Sequence, residues 1–150
     1  MPAPLPQSVL FCCDHNAVRS PMAEAIAKKL YGTETYLQSA GLKSDLEVDG
    51  FAISVCDEVG VELSRHTART FEELGDYGDH LSSYDLIVAL SPASHASAQS
   101  LTRPYHTDVE FWPITDPTGT GETRDAKLDA YRRTRDEIIG HLTRHWGGLL

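Results

Sequence analysis

The chain has 150 residues, 41% of them apolar, with a formal charge of −9 at pH 7 and three cysteines. That length suits one domain, residues 1–150, with a real hydrophobic core, and the acidic balance argues against nucleic acid or an anionic membrane as partner. The cysteines make no disulfide framework, no apolar run reaches membrane-spanning length, and Met1-Pro-Ala-Pro-Leu-Pro lacks the regions of a signal peptide, so the expected location is cytoplasmic.

Residues 1–7 read as a loose, proline-rich lead-in. Val9-Leu10-Phe11-Cys12 is a short continuous apolar run and predicts a buried strand. Ser20-Pro21 predicts a helix start, serine at the N-cap and proline in the first turn. Met22, Ile26 and Leu30 repeat at helical spacing to about Tyr31, and Gly32-Thr33 ends the helix. Between strand and helix lie Cys13-Asp14-His15-Asn16-Ala17-Val18-Arg19. A short loop there collects backbone N–H groups and the positive end of the helix dipole, which suits phosphate or a similar oxyanion. The same field favours thiolate over thiol, so Cys13 is expected to be nucleophilic, with Arg19 offering a planar fork to the anion's oxygens. With three cysteines and nine arginines, a bare Cys-x5-Arg arises by chance roughly one time in six, so the strand before it and the Ser-Pro after it carry the argument.

Tyr36-Leu37-Gln38-Ser39 predicts a second strand, and a helix is expected around Asp49–Val59, stopped by Gly60. Cys56 within it reads as core filler. Phe71 to His80 predicts a short helix and loop. Tyr84 to Leu90 is the clearest central strand, an unbroken apolar run of the kind found in parallel sheets. Ser91-Pro92 repeats the helix-start signal before Ala93–Leu101, Asp108–Trp112 predicts the last strand, and a long helix runs from about Arg124 to His145. His141 and His145 sit at i, i+4 without a glutamate at 142, which reads as a solvated helix end. Alternating strands and helices imply parallel βαβ units, with ligands beyond the carboxyl ends of the strands, where Cys13 falls.

The stretch CxxNxxRSPMAEA at Cys13–Ala25 resembles the low-molecular-weight protein tyrosine phosphatases and the wider superfamily that includes thioredoxin-coupled arsenate reductases. The resemblance extends to Ser39-Ala40-Gly41, to Val61–Arg69 (V-E-L-S-R-H-T-A-R) and to Asp116-Pro117. It implies a flavodoxin-like α/β fold, a four-stranded parallel sheet with helices on both faces. It implies Cys13 as nucleophile, Arg19 as oxyanion clamp and Asp116 as general acid, with residues Asp14, His15, Asn16, Ala17, Val18, Arg19 and Ser20 forming the phosphate-binding loop. Ser39 and His66 would stand behind that loop, bonded to one another, and Asn16 would brace it in a left-handed conformation, which asparagine tolerates. The Ser20 hydroxyl could cap the helix or, as the resemblance implies, bond the thiolate. No metal or cofactor is required. Substrates would be a phosphotyrosine protein or a small aryl phosphate, and oligomeric state stays open.

Some positions depart from that pattern. Thr118 and Gly119 stand where aromatics often form a wall for the substrate ring, and Trp112 could supply part of a wall or lie in the core. Val18 replaces a cysteine often found beside the arginine. Cys12 should point opposite to Cys13 in an extended strand. His15 either strengthens the field at the thiolate or sits in solvent. His15-Asn16 before Arg19-Ser20, Trp112-x-x-x-Asp116-Pro117 and Tyr131 to Ile138 look like the arsenate-reductase branch, yet Ser91–Leu101 holds none of its resolving cysteines, so that chemistry would need an external low-molecular-weight thiol, or Cys12 against its geometry. A phosphate-binding module without turnover is the third class.

Overall fold

The computed structural model describes residues 2–76 and 78–150; Met1 of the lead-in and Tyr77 of the expected Phe71–His80 segment lie outside them. Four strands, β1 (Ser8–Cys13), β2 (Tyr36–Gly41), β3 (Leu86–Ala89) and β4 (Asp108–Phe111), form one parallel sheet in the order β2-β1-β3-β4. Five helices connect or follow them: α1 (Arg19–Tyr31), α2 (Gly50–Asp57), α3 (Phe71–Asp76), α4 (Pro92–Thr102) and α5 (Arg124–Trp146). The α/β class and the four-stranded parallel sheet expected from the sequence are the architecture found.

β1 and β3 are the two interior strands, and both faces of β1 are buried. Val9, Phe11 and Cys13 point into a core shared with α1, α2 and α5; Leu10 and Cys12 point into a smaller one with Leu74 of α3 and Ala98 of α4. The alternation is the two-residue period of a strand. The larger core closes around Phe11, Met22, Ile26, Leu142 and Trp112, all buried. Removal of that apolar surface from water is the main stabilising contribution to the fold.

α4 begins as its sequence predicts. Ser91 is the N-cap, Pro92 opens the helix, and Ser91 and Ser94 form a reciprocal capping box. α1 does not. It starts at Arg19, with Val18 in the cap position and no side-chain cap, so Ser20 already lies inside the first turn and its hydroxyl is free for other work. The lead-in is not loose: the Ala3 amide bonds the His145 carbonyl at 2.8 Å, and the Pro6 carbonyl accepts from Thr35. The end of α5 is not solvated either. His141 and His145 stack on the Trp112 indole with ring centroids 5.6 and 4.3 Å away. Trp146 packs on Phe11 and Tyr31, while Leu149 beyond it is exposed.

The chain leaves β1 toward β2 on one side, and β3 pairs on the other. Cys13 therefore ends a strand at the point where the strand order reverses, the place in an open α/β sheet where a ligand crevice opens.

Candidate active site

Residues 14–18 turn from β1 into α1, and neighbours on every side hold their carbonyls. The Asp14 carbonyl accepts from the amides of Leu42 and Lys43, that of Ala17 from Asp49, and that of Val18 from Met22; His66 Nε2 lies 3.2 Å from the Asn16 carbonyl. A trans peptide sets N–H opposite to C=O, so the amides of His15, Ala17, Val18 and Arg19 point away from those partners. Asn16 takes φ +54°, the only positive φ among the described non-glycine residues, as expected for the brace of the loop. Gly41 backs the turn closely. A Cβ there would lie 2.7 Å from the Asn16 nitrogen and 2.9 Å from the His15 carbonyl carbon, so only glycine fits.

The Cys13 sulfur faces this loop. Ser20 meets it with hydroxyl and amide, at 2.9 and 3.4 Å. Of the two jobs open to Ser20, the structure shows the contact with sulfur and not the cap. Cys12, one residue earlier, is fully buried on the opposite face near the Val88 carbonyl, and burial pushes its thiol far above the ordinary range. Cys56 is fully buried too, its thiol pushed up to about 12 chiefly by burial.

Arg19 is 8% exposed. Its guanidinium donates to the Ile114 carbonyl at 3.3 Å and to Asp14 at 3.5 Å, and lies 3.9 Å from Asp116 Oδ2. Asp14 is held in turn by the Ser91 hydroxyl at 2.7 Å, which ties the loop to the start of α4. Asp116 Oδ1 accepts from the Thr118 hydroxyl at 2.6 Å and its amide at 3.0 Å, leaving Oδ2 toward Arg19. Partial burial raises the proton affinity of Asp116, but the Thr118 bonds, with Arg19 and His15 nearby, outweigh it and hold the carboxyl below its usual value.

Cys13, Asp14, His15, Ala17, Val18, Arg19 and Asp116 line one crevice of about 290 Å³, joined by Leu46, Glu47, Asp49 and Thr118. Among the described residues no Phe, Tyr or Trp lines it; Trp112, offered by the sequence as a possible wall, lies in the core. His15 lines the crevice, partly exposed, with its ring 2.8 Å from Asp45 of the loop that forms one wall. Asp49 caps α2 and accepts from the Tyr131 hydroxyl at 2.9 Å, holding the same wall to α5.

The support behind the loop differs from the expected Ser39–His66 bond. Asn16 stands between them: its amide nitrogen donates to Ser20 at 2.8 Å and Ser39 at 2.9 Å, and its amide oxygen receives the Arg69 N–H at 3.0 Å, with His66 Nε2 2.9 Å away. Ser39 donates instead to Glu24, at 2.5 Å. Burial first, and then the Arg69 cation, outweigh the pull of Glu24 and lower the proton affinity of His66. Glu24 and Arg69 received no role from the sequence, although both fall inside the stretches that carry the resemblance. As separate letters, a glutamate in a helix and an arginine after a loop read as surface charges.

The family model described as "Low molecular weight phosphotyrosine protein phosphatase" matches residues 8–146. The arsenate reductase of Halalkalibacterium halodurans is 32% identical over 130 residues, 87% of this chain and 88% of that one. Among solved structures, the YwlE arginine phosphatase, in a mutant with a phosphorylated active-site serine, superposes with TM-score 0.73 at 25% identity, over 91% of each chain. An arsenate reductase in its phosphate-binding state gives TM-score 0.69 at 26% identity, covering 91% of this chain and 93% of that one.

Proposed function

The chain belongs to the low-molecular-weight phosphotyrosine protein phosphatase family, and from that premise we propose that it is a cysteine-dependent phosphomonoesterase acting through a thiophosphate intermediate. One observation supports this most: Cys13, Arg19 and Asp116 line the same crevice, with Arg19 reaching toward the Asp116 carboxylate at 3.9 Å. The Cys13 thiolate attacks phosphorus in line, the bond from phosphorus to the leaving oxygen breaks, and the Asp116 carboxyl gives that oxygen its proton. The Arg19 guanidinium and the amides of His15, Ala17, Val18 and Arg19 hold the equatorial oxygens. Water then attacks phosphorus, Asp116 takes the water's proton, and the thiolate leaves as phosphate is released. The resting Asp116 sits below its usual value, so it needs help to carry a proton. A bound phosphate dianion supplies it, by neutralising Arg19 and adding negative charge beside the carboxylate.

Phosphotyrosine proteins or small aryl phosphates are the substrates that family membership suggests. The crevice wall of Leu46, Glu47, Asp49 and Thr118 offers no ring for stacking, and its carboxylates accommodate a cationic leaving group. The similarity to an arginine phosphatase makes a phosphorylated guanidinium the second substrate class to assay.

Arsenate chemistry is the rival reading, favoured by the curated relative. It shares the first attack but then needs a second thiol to attack the Cys13 sulfur of the arsenic adduct: an S–S bond forms, the S–As bond breaks, and its electron pair leaves with arsenic as arsenite. Cys12 and Cys56 are buried and hold their protons, so that thiol would come from outside. Paired assays decide between them. Aryl phosphate or phosphoarginine hydrolysis that Cys13→Ser abolishes supports the phosphatase. Arsenate-dependent consumption of a low-molecular-weight thiol, with negligible phosphate release, supports the reductase; oxyanion binding with neither activity leaves a binding module.

A further inference from the structure

Among the described residues, Arg19 is the only arginine or lysine that lines the crevice, and four carboxylates share it: Asp14, Glu47, Asp49 and Asp116. Asp116 serves the leaving group, and Asp49 caps α2. The Asp14 side chain has no part in the mechanism above, yet it stands at the cation that mechanism uses, Oδ2 3.5 Å from Arg19 Nη2. We propose that Asp14 is a specificity-determining residue. It is a fixed counter-anion on Arg19 that weakens the hold on free dianionic oxyanions and favours phosphoryl compounds whose other end is cationic. The proposal rests on the reading of the crevice as an oxyanion site.

A serine behind Asp14 fixes it in place. A carboxylate only accepts, so the Ser91 hydroxyl donates to Oδ1 at 2.7 Å. Ser91 is 1% exposed and caps α4, exchanging bonds with Ser94 in the capping box. Asp14 is held from that buried side, and its other oxygen is left to face Nη2. The Ile114 carbonyl takes Nη1 at 3.3 Å, and Asp116 Oδ2 lies 3.9 Å from Nη2. An incoming oxyanion meets a guanidinium with an acceptor already near both terminal nitrogens. The 3.5 Å contact is long for a charge-assisted bond, so a ligand can share Nη2, but the Asp14 charge stays beside it.

Charge then decides which ligand binds well. Coulomb repulsion from Asp14 is about twice as large for a dianion as for a ligand with one net negative charge. The other charged or titratable groups facing the site are Glu47, Asp49 and His15, whose ring is paired with Asp45. Among the described residues, Asp14 and Asp116 are the carboxylates paired with Arg19. Asp116 gives and takes a proton in the proposed cycle, so Asp14 is the one whose charge stays fixed.

The test is calorimetric binding of inorganic phosphate to the full chain at about pH 8, where phosphate is chiefly dianionic. Asp14→Asn keeps an oxygen for the Ser91 hydroxyl and removes the charge. It should bind phosphate about three- to tenfold more tightly than the parent, a modest gain because the Asp14 side chain is 40% exposed. The gain should shrink toward none at about 1 M salt, which a change of shape alone would not do. Phosphoethanolamine, whose ammonium leaves it one net negative charge, should gain at most about half as much on a logarithmic scale. That pair is measured with Cys13→Ser in both proteins, so that nothing turns over. Equal or weaker phosphate binding by Asp14→Asn, with native circular dichroism, overturns the proposal, and so does an equal gain for the two ligands. Should Asp14→Asn fail to fold, Asp14→Ala removes the same charge, and the absence of a gain there overturns it equally. If the parent and Arg19→Ala bind phosphate alike, the oxyanion-site reading itself fails, an outcome distinct from binding that needs Arg19 and ignores Asp14.

Discussion

The phosphate loop and the crevice walls around it are built in different ways. Asn16 and Ser20 are fully buried, Arg19 nearly so, and the side chains of Asn16 and Ser20 are bonded to partners drawn from β2, α1 and the segment before α3. The walls consist of Leu46, Glu47, Asp116 and Thr118, all exposed, on segments without regular structure, with half-buried Asp49 at the start of α2. A loop that must hold one oxyanion geometry has to be over-determined, because a shift of a fraction of an ångström forfeits its hydrogen bonds. A wall that chooses among leaving groups needs no such fixity, and exposed loops tolerate change. On the proposed mechanism, grip on the oxyanion and choice of leaving group therefore fall to regions with different tolerances.

The sharpest way to break this contrast is at Arg19. Arg19→Lys keeps the charge and loses the planar fork, so activity should fall on the order of a hundred- to a thousandfold in kcat while vanadate still binds weakly. A loss below tenfold would mean that the loop works as a general field of positive charge and its geometry counts for little. Asp116→Asn comes next. It removes the proposed proton donor while leaving the loop's own side chains in place, so kcat should fall about a hundredfold for esters with poor leaving groups and much less for nitrophenol. The parent protein should lose activity as rising pH strips the proton from Asp116 in the substrate complex, and the variant should lack that decline. Equal losses for good and poor leaving groups would remove Asp116 from the acid's role.

The same division governs how much could be read from the sequence. β1, β3 and the start of α4 announce themselves through unbroken apolar runs and Ser-Pro, signals local to a few residues. The left-handed Asn16 was legible because few residue types accept that conformation. Ser-Pro marks a helix start and leaves the Ser20 hydroxyl open between cap and sulfur; the helix begins a residue earlier, and the hydroxyl meets the sulfur. Ser39 and His66 both contact Asn16 and not one another, since residues so distant in sequence meet only where the fold brings them to a third side chain. His141 and His145 illustrate the same limit. Their shared helix face was plain, but the Trp112 ring that covers them arrives from the segment after β4.

The smallest expected effect concerns what holds the wall from behind. The Leu46–Asp49 segment leads into α2, and just past α2 Glu58 clamps to α5, accepting from Arg132 at 2.7 Å and Arg135 at 2.7 Å. The Arg132 bond chiefly, then that of Arg135, overcome the opposing effect of desolvation and hold the Glu58 carboxyl at about 2, against an ordinary 4.5. A carboxyl whose folded value is depressed contributes stability that is complete above the unfolded value and is lost as pH falls through the folded one. Glu58→Gln should therefore lower Tm at pH 7 by only about one or two degrees, because exposed pairs contribute little. The gap should shrink in high salt and close as pH drops from 4.5 toward 2. A gap that persists unchanged at the acid end would show that Glu58 acts through packing rather than charge. The wall would then rest on the same kind of buried, directional support as the loop, and the contrast between the two regions would fail.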